Sequence, residues 1–197
     1  MSEFSARIWE VYKTTASPYD PRLFVAMSAE QYDTYIKNDG HTYYVWLQKL
    51  VRELKPSKVL ELGTSIGRSG LFMMCALPPE SSLTTVDIGS YRRGDLVPFE
   101  NDPRLHIIYG DDCDPGVAEI IGTGFDLLFW DTEHTFEQLS REWAVYQHKL
   151  VDGCIVVMDD IHLNEGMDKF WNSISYEKID LGNNLHFSGF GAFQYRK

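Results

Sequence analysis

The chain is predicted to fold as an α/β protein: a doubly wound, mostly parallel sheet of seven strands, with a C-terminal antiparallel hairpin and an N-terminal helical segment. Three observations carry this expectation. Short apolar runs alternate with amphipathic stretches from Lys58 onward, the pattern of a parallel sheet covered on both faces. The run Lys58-Val59-Leu60-Glu61-Leu62 stops at a turn holding Gly63 and Gly67 and opens into an apolar stretch, Leu71 to Leu77. Near the C-terminus two further runs flank Asp180 to Asn184, which has the composition of a hairpin turn.

Taken in order, Phe4, Ile8, Val11 and Tyr12 have helical spacing and give a short amphipathic helix. Ser17-Pro18-Tyr19-Asp20-Pro21 breaks it. Ser28 and Gln31 resemble a capping box for a second helix, to about Lys37, which Gly40 ends. Thr42 is placed to cap a third helix to Leu54, with Tyr43, Trp46, Leu47, Leu50 and Leu54 on its inner face. Residues 1–55 form a helical preface able to lid a pocket, and 56–197 form the core of the same single domain. In that core the strands are Val59 to Leu62, Leu83 to Asp87, Leu105 to Tyr109, Phe125 to Trp130 and Cys154 to Met158. The helices are Arg68 to Leu77, Pro115 to Ile121, Thr135 to Leu150 and Glu165 to Ser173, and Ser90 to Asp102 reads as a loop with one helical turn. Tyr176 to Leu181 and His186 to Tyr195 form the closing antiparallel pair.

Composition bounds the function. At 197 residues with 44% hydrophobic and 14% aromatic content, the chain can bury a full sheet core. A net charge of -11 argues against nucleic acid or an anionic membrane as a partner, since phosphates would go unneutralised. Cys75, Cys113 and Cys154 are scattered without metal-ligand spacing and read as reduced thiols. With no signal-peptide pattern and no apolar run near 20 residues, the expected location is the cytoplasm. An apolar helical preface can fold onto its own pocket or onto a neighbouring subunit, which leaves a homo-oligomer open.

A strand, a glycine turn and a helix make a nucleotide pocket at the carboxyl end of a parallel strand. A dinucleotide favours G-x-G-x-x-G, where the second glycine lets the backbone close on phosphate. Here the spacing is Gly63-x-x-x-Gly67, with Glu61 two residues before the first glycine. S-adenosylmethionine has no phosphate but carries an ammonium, a carboxylate and a ribose diol. Glu61 suits the ammonium, and the helix N-terminus with the Ser69 hydroxyl suits the carboxylate. Asp87, closing the next strand beside Ile88, suits the ribose hydroxyls. A turn with two solvated acids would look the same.

Two further strands end in acids, Asp131 and the pair Asp159-Asp160. Parallel strands deliver their carboxyl ends to one edge, so these acids are expected beside the Gly63 turn, where they repel one another unless a cation sits among them. All-oxygen ligation suits a hard ion such as Mg²⁺. Acids are also common after strands, and one of the three is well placed to cap a helix. His134 opens the helix that follows Asp131. The positive end of a helix disfavours imidazolium, so it is expected to be neutral and available as a base. His162 and His41 are weaker candidates.

With these residues assembled, the chain resembles a class I S-adenosylmethionine-dependent methyltransferase of Rossmann-like fold. It is most similar to the metal-dependent O-methyltransferases of the catechol type and to macrolide-sugar O-methyltransferases. The resemblance spans about Lys37 to Trp171 and implies a transferase that methylates a sugar, phenolic or diol hydroxyl, with S-adenosyl-L-methionine and Mg²⁺ as cofactors. It further implies Asp131, Asp159 and Asp160 as metal ligands and His134 as base. Asp39 and Gly40 would lie at the methionine end, Asp112 or Cys113 beside adenine, and Asp131 against the cofactor as well. Histidine as base and Asp160 in place of an asparagine favour the sugar-like branch. A metal-independent methyltransferase, a nicotinamide oxidoreductase and a non-catalytic cofactor-binding protein stand as alternatives.

Overall fold

The computed structural model describes residues 1–15, 43–89, 94–182 and 185–197. The expected second helix, the Thr42 cap and residues 38–41 therefore lie outside the described residues. Helix α1 (Glu3–Thr15) and helix α2 (Tyr43–Leu54) precede strand β1 (Lys58–Leu62). Then come α3 (Arg68–Ala76), β2 (Ser82–Asp87), a 3₁₀ turn (Gly94–Phe99), β3 (Leu105–Tyr109), α4 (Pro115–Ile121), β4 (Phe125–Trp130) and α5 (Phe136–Tyr146). The chain ends with β5 (Leu150–Asp159), α6 (Glu165–Ser173), β6 (Lys178–Asp180) and β7 (Phe190–Gln194).

The sheet has seven strands in the order β3-β2-β1-β4-β5-β7-β6, with β7 alone running opposite to the other six. Strand side chains alternate between two apolar layers, as a pleat of period two demands. Val59, Leu127, Phe129, Ile155 and Val157 face the layer filled by α1, α2 and α3, where Trp46, Leu47 and Leu50 are fully buried. Leu60, Leu62, Leu128, Trp130, Val156 and Met158 face α4, α5 and α6. Helix α2 is thus a wall of the core.

Sequence chemistry sets the helix starts. Asp114 accepts from the Gly116 and Val117 amides with Pro115 at the first position of α4. Thr135 accepts from the Gln138 amide at α5, and Asn164 accepts from the Gly166 and Met167 amides at α6. Two boundaries differ from expectation. Helix α5 stops at Tyr146, and β5 begins at Leu150 rather than Cys154, because Gly153 at φ 84 and a register shift between Phe125 and Leu127 let the strand start early. The C-terminal pair has its strands at 178–180 and 190–194, so the connection is longer than a tight hairpin turn and takes in His186 and Ser188.

The glycine turn is fixed by crowding. Gly63 has φ 94, and a Cβ there would lie 1.7 Å from the Asp131 carbonyl oxygen. Gly67 has φ 87, and its Cβ would meet the Leu96 side chain at 2.7 Å. A backbone atom cannot yield as a leucine can, so Gly63→Ala is expected to cost more than about 4 kcal/mol and Gly67→Ala about 2 kcal/mol. Urea denaturation of the two variants checks this; equal losses would contradict it.

Candidate functional site

Strand order reverses at β1, which lies between β2 and β4, and the crevice outside the carboxyl ends there is where a doubly wound sheet binds ligands. The Gly63 amide donates to Val86 O at 2.9 Å, tying the turn to β2. Asp87 at the end of β2 is held by the Ser65 amide at 2.7 Å and the Gly89 amide at 2.9 Å, one on each carboxylate oxygen, and each oxygen keeps accepting capacity. These residues border a cavity of about 400 Å³ lined also by Ile88, Asp112, Asp131, His134, Gln138 and Glu142.

The wall away from the glycine turn is a polar network built on α5. Glu142 accepts from Trp130 Nε1 at 2.5 Å, Thr132 Oγ1 at 2.8 Å and Gln138 Nε2 at 2.8 Å, and Gln138 Nε2 also reaches Asp112 Oδ1 at 3.3 Å. Burial, with the Asp112 charge adding to it, pushes Glu142 up to about 8. Tyr146 donates its hydroxyl to Asp112 O at 2.8 Å and fixes that loop. Sequence reading missed Gln138 and Glu142, although their spacing of four on one helix face is visible in the sequence.

Glu61 and Ser69 are in contact with each other. Both are buried, and the Ser69 hydroxyl donates to Glu61 Oε1 beneath the turn. Neither lines the cavity. Glu61 Oε2 has no hydrogen-bond donor among the described residues, and burial pushes the carboxyl up to about 7. Gly67 packs on Leu96 rather than facing the cavity. Cys113 sits behind Asp112, its thiol pushed up to about 12 by burial.

At the other rim the three strand-end acids converge. His134 Nε2 lies 2.9 Å from Asp160 Oδ2 and 3.4 Å from Asp131 Oδ1. His186 Nδ1 lies 2.7 Å from Asp159 Oδ1 and 3.3 Å from Asp160 Oδ1, and the Ser188 hydroxyl donates to Asp160 Oδ1. Asp160 adopts φ 57, a left-handed conformation that turns its two oxygens toward different histidines. Asn164 anchors the arrangement: while capping α6 it donates its amide to His134 O at 2.9 Å. No lysine or arginine pairs with Asp131, Asp159 or Asp160 among the described residues.

The electrostatics follow from this geometry. The Asp131 and Asp160 carboxylates raise His134 to about 10, so the expected neutral imidazole is corrected: two carboxylates outweigh the helix end. Burial pulls His186 down, but Asp159 and Asp160 outweigh it and hold it at about 9. Burial likewise pushes Asp160 up, yet His134, His186 and Ser188 hold it well below the usual carboxylate range, while Asp159 is raised by burial. His162 is engaged at both nitrogens, by Asp168 at 2.6 Å and Asp180 at 2.8 Å, and takes no part in the cluster. Asp39, Gly40 and His41 lie outside the described residues.

Residues 60–161, more than half of the chain and spanning the turn, the network and the acid pair, match the family described as methyltransferase domain. The chain belongs to this methyltransferase family. A rhamnosyl O-methyltransferase from Mycobacterium leprae is 30% identical over 128 residues, which are 59% of this chain and 54% of that one, so the methyltransferase spans about half the length of that curated relative. The O-methyltransferase of Bacillus cereus, solved in complex with SAH, covers 96% of this chain and 97% of its own at 17% identity and TM-score 0.63. The O-methyltransferase TomG of Streptomyces achromogenes, involved in tomaymycin synthesis and solved with SAM, covers both chains fully at 17% identity and TM-score 0.63. At these identities the likeness is one of fold. No helix among the described residues of the methyltransferase is long and apolar enough to cross a membrane.

Folded-state values above the unfolded imidazole mean that His134 and His186 contribute stability that is complete below about pH 6.5 and lost as pH rises through about 9 to 10. Because the two share Asp160 and His134 is partly solvated, the joint contribution is about 2 kcal/mol. In EDTA, urea unfolding from pH 6 to pH 10 should show the wild type losing that much more than the His134→Gln, His186→Gln double variant. Parallel profiles would contradict the ion-pair assignment.

Proposed function

We propose that this methyltransferase transfers a methyl group from S-adenosylmethionine to a sugar hydroxyl with the help of a divalent cation. One observation carries the reading. The glycine turn and ribose-type acid of a cofactor cavity stand directly beside three carboxylates and two imidazoles, with Asp131 common to both. The name of the Mycobacterium leprae relative supports a sugar acceptor.

The residues fit both groups. For the cofactor, Asp87 has capacity for the ribose hydroxyls, and Asp112 with Gln138 offers hydrogen-bonding groups for the base. Gly63 borders the cavity, its α-carbon packed too closely on Asp131 O to carry a Cβ. For the cation, Asp131, Asp159 and Asp160 supply oxygens, and the charge they concentrate is balanced among the described residues only by histidines. When bound, the cofactor supplies an electrophilic methyl and the cation lowers the pKa of a coordinated hydroxyl.

His134 is the base in this reading. Its Nε2 faces Asp131 and Asp160, which keep a proton on it while they are free. A dication held by those carboxylates would weaken their hold on that proton, and Nε2 would then be placed to take the acceptor's proton. Asn164, by gripping His134 O, keeps Nε2 in range through the cycle.

His134→Ala should lower kcat about 100- to 10,000-fold while S-adenosylmethionine still binds in calorimetry. Unchanged turnover would remove His134 from the reaction. EDTA should abolish methyl transfer to rhamnosides reversibly, and full activity in EDTA would favour a metal-independent methyltransferase. Binding of NADH in preference to S-adenosylmethionine would overturn the cofactor assignment.

A further inference from the structure

His186 stands outside every expectation drawn from the strand-end acids. It comes from the connection between β6 and β7 and reaches back to β5, where its side chain is 8% exposed. The geometry there is that of a ligand triad. Asp159, Asp160 and His186 each offer a ligand atom within 4.8 Å of the other two, and His186 Nδ1 lies 2.7 Å from Asp159 Oδ1 and 3.3 Å from Asp160 Oδ1. Adjacent ligands of an octahedral ion with bonds near 2.1 Å are about 3.0 Å apart, and both separations from Nδ1 fall close to that.

A single ion pair does not use the whole arrangement. Nδ1 carries one proton and can donate one good hydrogen bond, yet it faces two carboxylate oxygens while Ser188 already donates to one of them. The connection is also held in place. The His162 amide donates to Ser188 O at 2.8 Å and the Gly189 amide to His186 O at 3.1 Å. Gly189, at φ 90, lies so close to His162 that a Cβ would be 2.6 Å from the ring. The Tyr43 ring lies 5.1 Å from the imidazole and limits its rotation. The scaffold presents Nδ1 to a fixed point between the two acids, as a preorganised ligand requires.

We propose that His186 Nδ1 is a ligand of the cation held by Asp131, Asp159 and Asp160, giving a mixed nitrogen–oxygen site selective for a first-row transition dication over Mg²⁺. The inference rests on the cation reading above. Imidazole nitrogen suits Fe²⁺, Co²⁺, Ni²⁺ and Zn²⁺, whereas Mg²⁺ prefers oxygen and water throughout its octahedron. Replacing one oxygen corner by nitrogen therefore changes which ion wins rather than whether one binds.

The test uses the full chain stripped of metal and then loaded with Mn²⁺ as a spectroscopic probe. Pulsed electron paramagnetic resonance should show coupling to a directly bound ¹⁴N, replaced by ¹⁵N coupling when the protein carries ¹⁵N-histidine. The coupling should vanish in His186→Gln and persist in His134→Gln. Calorimetry should show Co²⁺ binding at least 10-fold tighter than Mg²⁺ in the wild type, with that ratio falling about 10-fold or more in His186→Gln. Thermal unfolding establishes that each variant is folded, and the isotope exchange in wild type stands even where a variant is not. Bound Mn²⁺ without nitrogen coupling, or coupling that survives His186→Gln, overturns the proposal while leaving the cation reading intact. Absence of binding by Mn²⁺, Co²⁺ and Mg²⁺ overturns both.

Discussion

Like charge gathered at one edge of a parallel sheet is the constraint on which the site depends. The strands β1, β4 and β5 run the same way, so acids placed after them arrive together whatever their separation in the chain. Asp131 reaches His134, Asp159 reaches His186 and Asp160 reaches both imidazoles, and the repulsion among these acids has to be answered by bound positive charge. Without a metal the answer is two protons, on His134 and His186. A dication held there would replace those protons, which would couple cation affinity to pH.

The same economy of position shapes the cofactor side. Gly63 is pressed against the Asp131 carbonyl, so the turn that borders the cavity and the acid shared with the carboxylate cluster are parts of one contact. Glu61 and Ser69 stiffen this junction from below by bonding to each other. Glu142 does so from α5, tying Trp130, Thr132 and Gln138 into one buried network. Buried polar networks of this kind rigidify a wall only when every member is satisfied, which Glu142 achieves with three donors.

Much of the architecture was legible because period and punctuation agree along the core. Strand β3, helix α4 and helix α6 fall where alternation and capping put them, and the acids at strand ends needed only the rule that parallel strands share an edge. What escaped were contacts that no local pattern encodes. His186 looked like the start of the last strand, yet the run from His186 to Tyr195 is much longer than its partner run from Tyr176 to Leu181, and that mismatch was the available sign of an intervening loop. The contact between Glu61 and Ser69 was not visible either, because sequence gives the face of a strand and of a helix but not that the two faces meet. The protonation of His134 was misjudged for a related reason: the helix end is visible in sequence, whereas Asp160, 26 positions further on, becomes its neighbour only in the fold.

The central claim is that a methyl donor and a divalent ion occupy adjoining halves of one crevice at the reversal point of the sheet. Anomalous diffraction from a crystal grown with S-adenosylhomocysteine and Co²⁺ tests this most directly. The account predicts a cobalt peak bounded by Asp131, Asp159 and Asp160, with the cofactor's ribose on Asp87. Cobalt absent from that cluster, or a cofactor seated away from the Gly63 turn, would contradict it.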